Sequence, residues 1–317
     1  METIFVAIAS MDDTETVPTI KNLFEAAEHP DRIRVGVAIS ERYKTTYKAV
    51  KKAFGKDSRV DISYHKVVFN DISTLGVGKG RAAALAFYRE EDYVLQVDSH
   101  TMLLEKWDTT LIKWHKEAVE ETSNEKTILT SYVNIYHYNP TRQEKEGSSV
   151  NFYPFYLPGE TWLGRLPKWS DQLLPMEYPR RMYPCVKFCA AFAFGNKHFG
   201  RNPGTFVEAL FYEEELVQSI NLVHAGFSLV FPNIYRLPVL HLHGDHRNKH
   251  GGKRVFFTDY VDAETNLKIS DTVVENYFKF LDDPKNQAAI HKYEQYARIN
   301  LRFGAISHLF IPKKYSR

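Results

Sequence analysis

Cysteine is scarce: the 317 residues include two, Cys185 and Cys189. Two thiols cannot staple a small secreted scaffold, and such scarcity points to a reducing, cytoplasmic setting. Four residues apart in an apolar run, they read as small buried hydrophobes. An excess of charge of one sign is also lacking. Forty-one Lys and Arg face 39 Asp and Glu, a formal net charge of +2. That excludes nucleic-acid binding by bulk charge, though not by a local basic patch. Long apolar runs are missing too. The longest stretch without Asp, Glu, Lys or Arg, Leu216 to Tyr235, is interrupted by Gln218, Ser219, Asn221, His224, Pro232 and Asn233. It is too polar to span a membrane and reads as a buried helix followed by a strand. The N-terminus, METIFVAIASMDD, has no basic segment and reaches acids by Asp12, so it reads as a strand rather than a secretory signal. Aromatics are plentiful: 21 Phe, 19 Tyr and 4 Trp exclude intrinsic disorder. With a mean hydropathy of −0.39, they describe a soluble globular chain of two average domains or one enlarged α/β domain.

The first hundred residues alternate strand and helix signals. Apolar runs at Thr3–Ala9, Arg32–Ile39, Val60–Val68 and Tyr93–Val97 predict strands. Helical spacing at Thr16–Ala27, a basic helix at Glu41–Phe54 closed by Gly55, and an Ala-rich helix at Gly80–Arg89 lie between them. This alternation predicts βαβ units and a parallel sheet whose ligands bind at the carboxyl ends of the strands. From Tyr136 to Pro184 the periodicity disappears in an aromatic- and Pro-rich stretch, which predicts an irregular insertion, a lid or acceptor platform. Order returns at Val186–Phe194, in a helix from Phe211 to Ala225 closed by Gly226, and in a strand at Ser228–Phe231. Two further helices, Asp271–Leu281 and Lys285–Asn300, are expected in the tail.

Four clusters carry chemistry. Asp98-Ser99-His100 follows the Tyr93–Val97 strand, and a carboxylate and an imidazole two residues apart there can reach one cation, Mn²⁺ or Mg²⁺. The bland alternative is an Asp capping the next turn. His241-Leu242-His243-Gly244-Asp245-His246 follows another apolar run; alternating His on a strand share a face, so His241 and His243 can act together. Read literally, the string fits the His-x-His-x-Asp-His pattern of metallo-β-lactamase-type hydrolases, but too little chain follows to supply their remaining ligands. Glu213-Glu214-Glu215 opens a helix, where acids suit the dipole. Successive residues point about 100° apart around the axis, so at most two can face a site. Gly76-Val77-Gly78-Lys79-Gly80-Arg81 is neither a Walker loop nor Gly-x-Gly-x-x-Gly. It can still present backbone N–H groups, Lys79 and Arg81 to a phosphate.

Together these segments resemble a known family. VLQVDSHTMLLEKWDTTLI is similar to the metal-binding strand end of GT-A glycosyltransferases acting on polypeptides, with Asp-x-His in place of the commoner Asp-x-Asp and Trp107 following. IFVAIASMDDTETVPTIKNLFEAAEHPDRIRVGVAIS resembles the nucleotide-binding start of the cytoplasmic hydroxyproline N-acetylglucosaminyltransferase family and its bacterial and viral relatives. KFCAAFAFGNKHF, FYEEELVQSINLVHAGFSLVFP and VLHLHGD resemble its later half in order and spacing. The resemblance implies an α/β GT-A fold, Rossmann-like, with a mostly parallel sheet. Residues 1–250 would form the catalytic domain: a nucleotide-binding half at 1–100, the irregular insertion at 136–184 and an acceptor and metal half at 185–250. Residues 251–317 would form a helical extension. It further implies that Asp98, His100 and His241 hold the metal, and that Ser10, Asp12, Lys79, Arg81 and Asp98 meet the nucleotide sugar. Glu214 or Glu215 would lie near sugar and acceptor. The implied reaction moves N-acetylglucosamine or another hexose from a UDP-sugar to a protein hydroxyl with retention, the departing phosphate taking the acceptor's proton. The sequence departs from the family at Met11-Asp12-Asp13, at Tyr212-Glu213 and at His243.

Three other readings stand beside this one. The acceptor can be a hydroxymethylated base in DNA, with Lys44, Lys48, Lys51, Lys52, Lys56, Lys313, Lys314 and Arg317 meeting phosphates and the insertion stacking on a flipped base. The chain can be a hydrolase using His241, His243, Asp245 and His246. It can also be a silent nucleotide-sugar-binding module.

Overall fold

Apolar runs at the start of the chain pair as parallel strands in the computed structural model, which describes residues 1–131, 133–139, 144–148, 153–162, 166–172, 182–211, 213–232, 237–242, 261–297 and 300–302. Strands β1 (Ile4–Met11), β2 (Ile33–Glu41), β3 (Val60–Lys66) and β4 (Tyr93–Asp98) alternate with helices α1 (Thr16–Glu25), α2 (Thr45–Phe54) and α3 (Val77–Leu85). After the short β5 (Thr101–Leu103) come α4 (Trp107–Thr122) and β6 (Thr127–Thr130). The chain continues through β7 (Asn134–Asn139), β8 (Glu144–Ser148), β9 (Tyr153–Trp162), β10 (Leu166–Gln172) and β11 (Met182–Pro184). The last elements are β12 (Phe192–Asn196), α5 (Lys197–Arg201), α6 (Glu213–His224), β13 (Ser228–Pro232), β14 (Val239–Leu242), α7 (Ala263–Asp282) and α8 (Gln287–Ala297).

The main sheet has the order β11-β13-β6-β12-β4-β1-β2-β3. β1 lies parallel to β2 and β4, β2 to β3, and β13 to β6, while β12 runs antiparallel between β4 and β6. This is the expected α/β architecture with a mostly parallel sheet. Its two faces follow the period-two rule. Ile4, Val6 and Ile8 of β1 pack with Ile20, Leu23, Val50, Trp107 and Leu111 of α1, α2 and α4. Phe5 and Ala7 point to the other face, whose core includes Leu85, Leu216, Val217, Tyr277 and Tyr293. Each fully buried aliphatic of this kind contributes about 1.5–3 kcal/mol.

The segment expected to be irregular instead carries strands. β7 and β8 pair antiparallel, as do β9 and β10, and β7 lies parallel to β14. Pro154, Pro158 and Pro167 sit within β9 and β10 and break any clean period in the sequence. Order does not return at Val186 either. Residues 185–191 form a loop in which Phe188 N–H donates to Ser219 Oγ, Cys189 N–H to Thr130 Oγ1 and Ala190 N–H to Glu215 Oε1. Backbone donors committed to side chains cannot join a ladder, so the strand starts at Phe192. α7 begins eight residues before the expected Asp271 because Asp262 caps it, accepting from Thr265 N–H at 2.7 Å. Both cysteines are free and buried. Among the described residues no helix is long and apolar enough to cross a membrane.

Candidate functional site

The carboxyl end of β4 delivers Asp98, and the tight link to β5 places Ser99 and His100 beside it. β14 then brings a residue from far along the chain: His241 pairs with Thr101 across the β14–β5 ladder, and Leu242 N–H donates to the His100 carbonyl at 3.0 Å. His241 Nε2 lies 2.9 Å from His100 Nε2 and 3.0 Å from Asp98 Oδ2; His100 Nε2 is 3.6 Å from that same oxygen. One ligand atom from each of the three falls within 4.8 Å of the others.

The surrounding groups decide what those atoms can do. His100 Nδ1 lies 2.7 Å from Asp13 Oδ2, which also accepts from Ser99 Oγ at 2.7 Å. Burial tends to raise the Asp13 carboxyl, but the hydrogen bond and charge of His100, with Ser99 and the Glu15 N–H, bring it down to about 2. An ionised carboxylate only accepts, so Nδ1 carries the proton and Nε2 presents a lone pair. This carboxylate–histidine pairing fixes a metal-ligand imidazole in its working tautomer.

Asp98 is held in the same way from its other side. Arg81 Nη2 donates to Asp98 Oδ1 at 2.6 Å and Nη1 to the Val97 carbonyl at 3.3 Å, leaving Oδ2 for the histidines. Burial works to raise the Asp98 carboxyl, yet the Arg81 guanidinium, with the His100 and His241 imidazoles beside it, holds it well below the ordinary range. The Nε2 proton of His241 lies between the His100 lone pair and the Asp98 oxygen, and with that proton moved to Nδ1 three acceptor atoms converge on a place that a cation can take. The residues present therefore fit a divalent metal.

Arg81 also reaches Glu214, Nε to Oε1 at 3.3 Å. Glu214 is 3% exposed. Its carboxyl is pushed up to about 7 by burial and by the nearby Glu215 and Asp98 carboxylates, against the pull of Arg81. Glu215 points elsewhere, pairing with Lys187 Nζ at 2.9 Å and accepting from Ala190 N–H. Glu213 accepts from Leu210 and Phe211 N–H groups and serves its own helix start. Of the three glutamates, Glu214 is the one linked to Asp98, through Arg81.

Other candidate residues fall outside the cluster. Ser10 Oγ is 2.7 Å from Thr16 Oγ1 and is buried near the end of β1. Asp12 takes φ +46°, and its N–H donates to the Ser40 carbonyl. The acid meeting His100 is its neighbour Asp13. Two consecutive acids closing a strand are a signal, but nothing local says which one turns inward. Lys79 is exposed, and its Nζ donates to the Ser73 carbonyl, so it is not brought to the trio. Nor does the glycine-rich turn offer its first N–H groups to a phosphate: Val77 and Gly78 donate to the carbonyls of Leu210 and Ala209. Gly78 is needed for that contact, since a Cβ there would lie 2.0 Å from the Phe206 carbonyl. Trp107 is a core residue whose Nε1 donates to the Leu23 carbonyl. His243, Asp245, His246, Lys313, Lys314 and Arg317 lie outside the described residues.

Comparison with known proteins agrees with this geometry. The family model described as Glycosyltransferase (GlcNAc) matches residues 3–72 and 69–256. No curated protein matches the sequence. Among solved structures, the crystal structure of GalNAc-T7 with UDP, GalNAc and Mn²⁺ is similar, with a TM-score of 0.57 and 12% identity. The match covers 93% of this chain and 55% of that one, so this chain spans about half of its length. The likeness shows a shared GT-A fold.

Proposed function

The chain belongs to the glycosyltransferase (GlcNAc) family, and from that premise we propose that it transfers a sugar from a UDP-sugar to a hydroxyl acceptor using a divalent cation held by Asp98, His100 and His241. The observation that carries this reading is the meeting of those three ligand atoms at the carboxyl ends of β4 and β14, where open α/β sheets bind ligands. One carboxylate oxygen with two imidazoles suits Mn²⁺ better than Mg²⁺, which prefers an all-oxygen octahedron. When bound, such a cation stabilises the charge of a departing diphosphate.

The chain's own residues supply the rest. Asp13 commits His100 to one tautomer. Arg81, locked between Asp98 and Glu214, aims Asp98 Oδ2 and adds a fixed positive charge to a water-poor site. Asp98 and Glu214 share Arg81 and Glu215 lies nearby, so burial beside two other carboxylates lets Glu214 take up a proton near neutrality. A Glu214 in that state can hydrogen-bond a sugar hydroxyl as donor or acceptor. We read the transfer as retaining, the acceptor attacking from the face that UDP leaves and passing its proton to the departing phosphate. The donor sugar is read as N-acetylglucosamine, supported by the family's description. The acceptor is read as a polypeptide hydroxyl, which the sequence resemblance implies. The unpaired, buried cysteines support a cytoplasmic location, a reading that fractionation finding the native protein in an oxidising compartment would overturn.

A thermal-shift and hydrolysis screen of UDP-sugars, with and without Mn²⁺ and beside Asp98→Ala, tests the central reading. The expected result is Mn²⁺-dependent stabilisation by one UDP-sugar, with slow UDP release that the variant loses. A response indifferent to Asp98, or none to any UDP-sugar, overturns it.

A further inference from the structure

Some surface lysines of this molecule have acidic partners: Lys106 pairs with Glu28, Lys116 with Glu2 and Lys268 with Glu264. The face formed by α2 and the end of β3 gathers several that have none. Lys44, Tyr47, Lys48 and Lys51 recur at i, i+3, i+4 and i+7 on one side of α2, and Lys52 extends the row from Lys48. None of these lysines, nor Lys66 at the end of β3, has an ion pair among the described residues. Lysines four apart on a helix repel one another. The nearby acid does not relieve them: Glu41 is buried, and its carboxylate accepts the Thr46 and Tyr47 N–H groups at the start of α2.

Aromatic rings are interleaved with this charge. Tyr47 and Tyr64 form a tilted pair 5.3 Å apart, with the Lys44 ammonium 4.5 Å from the Tyr64 ring and the Lys51 ammonium 5.5 Å from the Tyr47 ring. Tyr43, 69% exposed, lies under the Arg42 guanidinium at 4.9 Å. Lys66 shares the sheet face of Tyr64, two residues before it. The patch is reachable because β3 is the edge strand of the main sheet.

We propose that this basic and aromatic face is a docking surface for single-stranded nucleic acid. From Lys44 to Lys52 the row runs about 12 Å at 1.5 Å per residue, a track of positive charge along which a phosphate backbone can lie. The tyrosines give flat faces on which bases stack, the combination that sequence-tolerant single-strand binders use. A membrane surface fits less well, because among the described residues the only large exposed apolar side chains nearby are Tyr43 and Val68. An acidic peptide would use the lysines and leave the rings idle. The face starts at the carboxyl end of β2, two strands from β4, whose last residue is Asp98. The inference does not depend on which hydroxyl takes the sugar.

The test is fluorescence anisotropy with a labelled twelve-nucleotide oligothymidylate, titrated at several salt concentrations starting from about 50 mM. Four neutralised phosphates predict a slope of log Kobs against log salt of about −3. Lys48→Glu with Lys52→Glu, both exposed, is expected to weaken binding at least about tenfold, and Tyr43→Ala about five- to tenfold by loss of one stacked base. Both variants should melt with the wild type and release UDP from the preferred UDP-sugar at its rate, which separates this outcome from failure of the transferase reading. No binding at the lowest salt overturns the proposal, as does binding that ignores the variants. Equal affinity for a twelve-residue oligoglutamate, for phosphatidylserine vesicles or for duplex DNA overturns it as well.

Discussion

His100 and His115 are almost equally sealed from solvent, at 4% and 2% exposed, yet they sit in regions that use the same side chain in opposite ways. His115 lies on α4 beneath the sheet, edge-on to Tyr93 and Phe194, and its Nε2–H donates to the Thr127 carbonyl at 2.9 Å. Burial, with a small push from Lys116, drives its pKa down to about 4, so it is a neutral packing element with one satisfied donor. His100 has an ionised carboxylate on one nitrogen and an imidazole and a carboxylate oxygen facing the other. Burial makes a histidine structural. A buried acid on one ring nitrogen leaves the other presenting a lone pair.

That contrast can be tested from both sides. The largest effect is expected from His100→Ala, which should weaken Mn²⁺ binding by calorimetry at least about a hundredfold, past the 10–100-fold typical of groups behind the ligands. If His115→Ala weakens Mn²⁺ equally, the division between the two regions fails. Next comes acid sensitivity. The folded His115 titrates near 4 against 6.5 in the unfolded chain, so the unfolded state binds the extra proton first. Its share of stability is intact above 6.5 and is lost as pH falls toward 4, about 3 kcal/mol in all. His115→Gln, which keeps an N–H for Thr127, should flatten urea-melt stability across that window. An unchanged slope would mean that His115 is not what titrates. The smallest effect is expected from Asp13→Asn. Its amide can donate to His100 Nδ1 and select the wrong tautomer, weakening Mn²⁺ about 10–100-fold with little change in melting temperature. Nitrogen-15 NMR of His100 should show the proton moving from Nδ1 to Nε2; a proton that stays on Nδ1 would remove the tautomer argument.

The amino-terminal half of the fold is legible in the sequence because its strands and helices each carry their own period. Ile4, Val6 and Ile8 alternate with Phe5 and Ala7, and the structure places the two sets on opposite faces. α4 is equally periodic through Trp107, Leu111, Ile112, Trp114 and Ala118, yet it is hidden inside a segment that reads first as a metal motif. β12 is another matter. Its place between β4 and β6 follows from long-range pairing that no local pattern announces. The site divides the same way. Asp98 and His100 stand out because only Ser99 separates them at the end of a strand, and Arg81 because it follows glycines. Their union with His241 rests on the β14–β5 register, and Asp13 emerges only when the turn after β1 is built.

The pairing of His100 with His241 spans 141 residues, and that separation fixes when the cluster can exist. A ribosome adding 5–20 residues per second takes on the order of ten seconds to travel that far. Throughout that interval the emerging chain already carries Asp13, Asp98 and His100 but not the third donor. On the proposed reading, the choice of ion therefore waits until the chain has been made through His241, and a metal met earlier would find only two of the three ligand groups.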